Sequence, residues 1–209
     1  DNRPWTRRLL PLCLGLGLLA AQFGYGYQCL GGTELVARDD LKLRLVQPMV
    51  LEHVDWALAE PAAILDRLIA LSSTRLTPDD PGLGGGVTHI VWPESSFPFF
   101  LDAYPDAYPR IARMLPDGVT LLTGAPRHPA ADNGAVPPDY NSLLVIDTTG
   151  EVVATYDKAH LVPFGEYLPF PGLFDALGLR QFVPGPNGWT HGDGRRLVNA
   201  PGTPPFIAL

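Results

Sequence analysis

A long apolar stretch near the N-terminus is the strongest feature of the hydrophobic pattern. From Leu9 to Tyr27 the chain runs for 19 residues with Gln22 as its only strongly polar side chain, and this is just long enough for a helix that spans a bilayer. Basic residues precede the stretch, so the positive-inside tendency predicts a cytoplasmic N-terminus and puts everything after about residue 30 outside the cytoplasm. A cleaved signal peptide and a buried core helix are the alternatives.

After a glycine-rich joint, the pattern changes to the short elements of a separate domain. Apolar and polar residues alternate in Leu41–Gln47, which predicts a half-buried strand. Pro61 then starts a helix whose apolar stripe ends at Leu71. The continuous apolar run Val87–Trp92 is typical of a central strand that is buried on both faces.

The second half of this domain continues the alternation and then forms a hairpin. Apolar spacing from Tyr108 to Leu115 predicts a second amphipathic helix, and Val119–Gly124 predicts another buried strand. Two further strands flank Thr148–Gly150, which has the composition of a hairpin turn. The order of elements predicts a sheet with helices packed on it, in an α/β or α+β layered class.

Composition narrows the classes of function. A chain of 209 residues, 46% hydrophobic and 18% charged, can bury one sizeable core and carry an appendage. Its net charge of -7 and scattered basic residues argue against nucleic acid as a partner. The two cysteines, Cys13 and Cys29, can form neither a disulfide framework nor a zinc ligand set, so we expect no structural metal.

Two charged residues that follow predicted strands are candidates for chemistry. Glu94 comes directly after the apolar strand and Pro93, where a partly desolvated carboxylate could act as a general base. Lys158 follows the hairpin, where an ammonium could stabilise an oxyanion, and Glu166 lies eight residues later. Each residue alone is equally compatible with a solvated loop position.

Four motifs, taken together, carry a resemblance. They are LVQ at Leu45–Gln47, VWPES at Val91–Ser95, DYNSLLVID at Asp139–Asp147 and YDKAHLVPFGEYLP at Tyr156–Pro169. In this order they resemble the nitrilase (carbon–nitrogen hydrolase) superfamily, and the last motif resembles its apolipoprotein N-acyltransferase branch. The resemblance implies an α+β fold, a nitrilase-like α-β-β-α layered sandwich that is incomplete here and is preceded by one transmembrane helix.

The resemblance also implies a division of the chain. Residues 1–30 correspond to a transmembrane helix with a basic cytoplasmic flank, residues 31–40 to a linker, and residues 41–209 to the catalytic domain. Because the first residue is Asp and not Met, we expect the chain to have been processed or cut from a longer protein.

Functional residues carry over from the family at matching positions. Glu94 matches the general base, Lys158 the oxyanion-stabilising lysine and Glu166 an additional glutamate. The family's nucleophile is a cysteine in a CYE motif, and Pro204–Leu209 looks like the strand that leads into it. We therefore expect the fragment alone to be inactive.

The implied reaction takes place at a membrane. An acyl chain passes from a phospholipid donor, through a cysteine thioester, to the N-terminal amine of a diacylglyceryl-cysteine apolipoprotein, without cofactor or metal. The implied location is the bacterial inner membrane, with the catalytic domain on the periplasmic side. Candidate substrate-binding residues are Trp56, Phe164, Tyr167 and Phe170.

The segment Phe164–Gly185 is rich in apolar residues, and we expect part of it to face the bilayer. Ordinary core packing beneath a loop is the alternative for this segment. For the whole chain, a carbon–nitrogen hydrolase acting on amides or nitriles and a non-catalytic membrane-tethered module are the alternative functions.

Overall fold

The computed structural model describes residues 5–32, 37–48, 60–94, 96–129, 137–169, 172 and 188–208. The chain divides into two compact units, Asp1–Arg38 and Asp39–Leu209. The predicted residues Trp56 and Phe170, and most of the predicted bilayer-facing segment, lie outside the described residues.

The first unit contains one long helix, α1, at Trp5–Gly31, with Pro11 near its start. Its apolar part, Leu9–Gly31, is 23 residues long with a mean hydropathy of 1.5, so it is long and apolar enough to cross a membrane. None of that apolar part is buried, whereas a helix in a protein core is mostly buried.

The second unit is built on a five-stranded mixed sheet. Its strands are β1 (Leu43–Leu45), β2 (His89–Val91), β3 (Thr120–Arg127), β4 (Tyr140–Ile146) and β5 (Val152–Asp157), and they lie in the order in which they occur along the chain. The first three strands are parallel to one another, and β4 and β5 are added antiparallel. The predicted strands and the predicted hairpin are all present.

Helices cover one face of the sheet. They are α2 (Pro61–Ser73) and α3 (Ala107–Met114), and they connect β1 to β2 and β2 to β3. Leu65 and Leu68 of α2 pack with Ile90 and Leu121 of the sheet, and Leu68 is fully buried. Burial of one such side chain stabilises the fold by about 2 kcal/mol. Because most of the buried apolar side chains lie on this face, it is the main core of the domain.

A second, smaller layer covers part of the opposite face. It consists of β6 (Leu197–Val198) and β7 (Phe206–Ile207), which pair antiparallel. Val198 packs with Val145 and Tyr156, while the neighbouring Ile146 belongs to the helix-side core. Because adjacent residues of a strand point to opposite faces, the small sheet lies across from the helices.

The layer sequence helix, sheet, sheet follows the expected α+β sandwich, and the described residues contain three of its four layers. Strand β1 shows where the second sheet ends: Leu43 is 51% and Leu45 is 73% exposed. The side chain of Arg44, by contrast, is only 11% exposed and is paired with Asp80. The alternation predicted in this strand is therefore real, but its leucine side has no cover among the described residues.

Candidate active site

The direction of the strands explains why distant parts of the chain meet. Strands β2, β3 and β5 end at the same edge of the sheet, where antiparallel β4 begins. Glu94 follows the end of β2, Lys158 follows the end of β5, and Asn141 is the second residue of β4. Three residues far apart in sequence are therefore neighbours at one edge.

Lys158 is the centre of a compact charged cluster. Its Nζ donates hydrogen bonds to Glu94 Oε1 at 2.8 Å and to Glu166 Oε1 at 3.1 Å. The side chains of Lys158 and Glu166 are 15% and 14% exposed, whereas that of Glu94 is 58% exposed. Glu94 is thus the solvent-accessible carboxylate of the cluster, and hydrogen bonds rather than burial dominate its surroundings.

Asn141 links the two carboxylates and was not predicted from the sequence. Its Nδ2 donates to Glu94 Oε1 at 2.8 Å and to Glu166 Oε1 at 2.9 Å. The amide therefore holds both carboxylates beside the same ammonium. One signal in the sequence could have indicated Asn141. It stands in the DYNSLLVID motif at the start of β4, and β4 is antiparallel to β5, the strand that precedes Lys158.

The contacts fix the charge states of Lys158 and Glu166. Burial lowers the pKa of Lys158, but hydrogen bonds and charge from Glu94 and Glu166 outweigh it and raise that pKa above its ordinary value. Burial raises the pKa of Glu166, but hydrogen bonds from the Val162 N–H, Asn141 and Lys158 outweigh it and lower that pKa. The cluster therefore holds the Lys158 ammonium beside an ionised Glu166.

Backbone contacts hold both ends of the cluster in place. The Gly124 N–H donates to Pro93 O at 3.2 Å, and a Cβ at Gly124 would lie only 1.9 Å from Glu94 O. On the other side, a strap of residues 188–192 crosses the loop that carries Lys158. Its Gly192 N–H donates to Lys158 O at 3.0 Å.

In the described part of the chain, two cavities open at the cluster, and both are lined by Glu94, Asn141 and Lys158. Ala208, just after β7, also lines the first cavity, and Glu166 and Val162 also line the second. The chain at the end of the small sheet thus reaches the charged cluster. An oxyanion formed in the first cavity would be within reach of the lysine.

The predicted site residues have different positions. The structure brings Glu94, Lys158 and Glu166 together. Phe164 and Tyr167 lie in the loop beside Glu166: Phe164 has a φ of 65° and is 54% exposed, and the Tyr167 ring packs edge-on against His191 at 5.4 Å. Cys13 and Cys29 lie in α1, in the other unit.

Fold and site together define a class, an α+β layered domain with a glutamate–lysine–glutamate cluster at the carboxyl ends of its strands. No family model matches the chain. An apolipoprotein N-acyltransferase of Rhodopseudomonas palustris is 37% identical to it over 206 residues, which are 97% of this chain and 38% of that protein. Another, from Bradyrhizobium diazoefficiens, is 40% identical over 169 residues, 80% of this chain and 31% of that protein.

The chain is thus similar to curated apolipoprotein N-acyltransferases along most of its own length, and it spans about a third of the length of these relatives. Among solved structures, a crystal structure of an amidase from Nesterenkonia sp. is similar to this chain. The similar part covers 83% of this chain and 57% of the amidase chain. Its TM-score is 0.48 and its sequence identity is 16%.

Proposed function

We propose that the protein of which this chain is a part transfers an acyl chain from a membrane phospholipid to the N-terminal amine of a diacylglyceryl-cysteine apolipoprotein. The observation that carries the proposal is the Lys158 ammonium, held between Glu94 and Glu166 in a cavity that the end of the second sheet also lines. The relatives' name supplies the substrates, and the cluster supplies the acid–base and electrostatic groups.

The geometry suggests a role for each group. Lysine has three N–H donors, and the described contacts of Lys158 use two, so the third can bind a carbonyl oxygen as negative charge develops on it. Both described hydrogen bonds of Glu94 end on Oε1, which leaves Oε2 to accept a proton. Glu94 is thus the general base, and Glu166 keeps the ammonium charged and fixed.

The nucleophile in this proposal is a cysteine that follows β7, in the continuation of the chain. Glu94 takes the thiol proton as sulfur attacks the phospholipid ester, and Lys158 stabilises the tetrahedral oxyanion. Collapse of this intermediate breaks the ester bond, and Glu94 returns the proton to the departing lysophospholipid. In the second half, the apolipoprotein amine attacks the thioester and loses a proton to Glu94; the C–S bond then breaks, and Glu94 returns that proton to the departing thiolate.

The same proposal places α1 across the bacterial inner membrane, with the catalytic domain on the periplasmic side. Phospholipid donor and lipid-modified acceptor are both membrane-bound, so a membrane-tethered domain meets them at the surface where they reside. The exposed Val162 and Phe164 beside the cluster are apolar side chains suited to contact lipid. The proposal requires neither a metal nor a cofactor.

The test uses the complete protein in phospholipid vesicles with a radiolabelled acyl chain. Glu94→Gln and Lys158→Met should each lower the rate of acyl-enzyme formation by roughly a hundredfold or more, since each removes a base or an oxyanion donor. Glu151→Gln and Lys42→Met change the same residue types at exposed positions away from the cluster and should leave the rate unchanged.

The alternatives predict other outcomes of this experiment. A carbon–nitrogen hydrolase would release ammonia from simple amides and form no acyl-enzyme from phospholipid. A non-catalytic module would do neither. Wild-type activity in both Glu94→Gln and Lys158→Met would also contradict the proposed roles.

A further inference from the structure

A buried histidine outside the charged cluster has a contact that the proposed chemistry does not use. His89 lies in β2, on the sheet face opposite the helices, and is 1% exposed. Its Nε2 lies 2.8 Å from Pro201 O, and its Nδ1 lies 2.9 Å from Thr88 Oγ1. The first contact joins the central sheet to the connection between β6 and β7.

The partners determine how the imidazole is protonated. A carbonyl oxygen can only accept, so Nε2 must carry a proton and donate it to Pro201 O. The Thr88 hydroxyl at Nδ1 also donates to Lys42 O at 3.1 Å and accepts from the Lys42 N–H at 3.0 Å, so of the two ring contacts the one to Pro201 has its direction fixed by its partner. The contact to Pro201 is thus a directional bond from a fully buried donor.

Contacts of several kinds hold the small sheet on the large one, and one of them is a hydrogen bond from Arg196 Nη2, just before β6, to Thr155 O in β5. Val198, Ala200 and Phe206 pack on Val145 and Tyr156 over β4 and β5, and such apolar packing is non-directional. The connection between β6 and β7 is held over β2 by His89, and Gly202, with a φ of 77°, packs against the ring. A Cβ at Gly202 would lie 3.4 Å from His89 Cε1, so the connection sits directly on the imidazole.

The position of this connection affects the site. After the connection, β7 runs for two residues, and Ala208 then lines the cavity that contains Glu94 and Lys158. Six residues, 202–207, separate Pro201 from Ala208, and the last two of them form β7. A displacement of about 1 Å at a reacting group can cost roughly a hundredfold in rate.

We propose that His89 is a positioning residue: by donating from Nε2 to Pro201 O, it sets where the chain beyond β7 enters the cavity beside Glu94 and Lys158. This inference rests on the proposed function only in one respect, that the chain beyond β7 supplies the nucleophile. His89 itself touches no reacting atom.

The experiment compares two substitutions in the complete protein. His89→Gln keeps a terminal N–H donor that can reach Pro201 O, whereas His89→Leu fills a similar volume without a donor. We expect His89→Leu to lower the maximal rate of acyl-enzyme formation from labelled phospholipid by roughly tenfold to a hundredfold with little change in KM, because substrate binding is intact and the attack geometry is not. His89→Gln should stay within about threefold of wild type, by the same reasoning.

A matched control separates positioning from loss of stability. Ile90→Val alters the adjacent residue, which points into the helix-side core, and leaves the Pro201 contact in place. It should lower Tm without lowering the maximal rate. The proposal is overturned if His89→Leu retains the wild-type rate, if Ile90→Val loses as much rate at an equal loss of Tm, or if folded His89→Gln is as slow as His89→Leu.

A second measurement does not depend on the proposed reaction. Amide hydrogen exchange at Ile207 and Ala208 should be faster in His89→Leu than in wild type and close to wild type in His89→Gln. If the wild-type protein forms no acyl-enzyme, the proposed function fails, and the exchange rates alone decide the role of His89. Equal exchange rates in all three proteins would reject it.

Discussion

At the scale of single residues, the position of Glu94 depends on residue 124 being a glycine, which has no side chain. A Cβ at Gly124 would meet the backbone of Glu94, with 1.9 Å to its carbonyl oxygen and 2.4 Å to its Cα. No rotamer change can relieve an overlap with backbone, so any side chain at position 124 must move Glu94 or β3. The general-base role proposed for Glu94 therefore rests partly on the glycine beside it.

We predict that Gly124→Ala lowers the acyl-transfer rate by about tenfold or more and reduces the free energy of unfolding by about 1–3 kcal/mol, because the carboxylate is displaced from Lys158. Transfer kinetics and thermal denaturation measure the two effects. Gly84→Ala is the matched control, since a Cβ at Gly84 would have no heavy atom within 4 Å. A fully active Gly124→Ala protein would show that the close approach is not needed.

Sequence reasoning identified the charged residues of the cluster but not the group that links them. Glu94, Lys158 and Glu166 could be named because they stand in motifs that resemble those of a known family, whereas each residue alone also fitted a solvated loop position. Asn141 acts through hydrogen bonds across strands, and its partners are 47 and 25 residues away. Such a contact depends on strand direction and register, which a single motif does not encode.

At the scale of elements, hydrophobic periodicity predicted the helices and strands well because each buries a regular stripe. It could not say which layer covers which face. In β1 the leucines are exposed and Arg44 is sheltered, since its guanidinium pairs with Asp80 in the loop that follows α2. The period of a strand shows which residues share a face, and the neighbouring layers determine whether that face is buried.

The pairing of β1 with this loop should depend on pH. Hydrogen bonds from the Leu76 and Gly82 N–H groups and from Arg44 lower the pKa of Asp80 from 3.8 to about 2. Because this pKa is lower in the folded state, the carboxylate stabilises the fold above pH 3.8, and that contribution is lost as the pH falls towards 2. We predict that Asp80→Asn lowers Tm at pH 7 and that the difference from wild type shrinks below pH 3.8.

Thermal denaturation across this pH range measures the effect. Asp79→Asn is the matched control, because Asp79 is the adjacent, exposed carboxylate. A Tm difference for Asp80→Asn that stays constant down to pH 2 would rule out the carboxylate as its cause.

The strap of residues 188–192 provides a second test at this scale. Its Trp189 N–H donates to Glu166 O at 2.8 Å, and its Gly192 N–H donates to Lys158 O, so it holds two members of the cluster at their backbones. A Cβ at Gly192 would lie 2.3 Å from Asp157 O. We predict that Gly192→Ala lifts the strap, speeds amide exchange at Trp189 and Gly192, and slows acyl transfer about tenfold.

Gly84→Ala is again the control. It should change neither the amide exchange rates nor the acyl-transfer rate, because a Cβ at Gly84 would have no heavy atom within 4 Å. Fast exchange in Gly192→Ala with an unchanged transfer rate would mean that the strap covers Lys158 without positioning it.

At the scale of the whole molecule, the chain combines a helix that can span a membrane with a layered domain whose site lies at one sheet edge. Length and hydropathy predicted the helix, because a bilayer imposes a minimum apolar length. The expected four-layer sandwich, of which the described residues contain three layers, could be named only through the motifs, since a composition or period does not specify how sheets stack. The same motifs pointed to a nucleophile that would follow β7, and its position relative to Lys158 depends on packing of the second sheet.

The cysteines of α1 allow its orientation to be tested. If α1 spans the bilayer, Cys29 lies near its outer end and should react with a membrane-impermeant maleimide added to spheroplasts, while Cys13 lies within the apolar part and should be protected. Cys29→Ser should therefore lose this label, and Cys13→Ser, the matched control, should keep it. A signal peptide cleaved near Ala20–Ala21 would remove Cys13 and leave Cys29 close to the new N-terminus, so Cys29 would still be labelled, and a lower mass of the mature protein would identify this outcome. Labelling of Cys29 only after the membrane is broken would reverse the orientation and put the charged cluster on the cytoplasmic side.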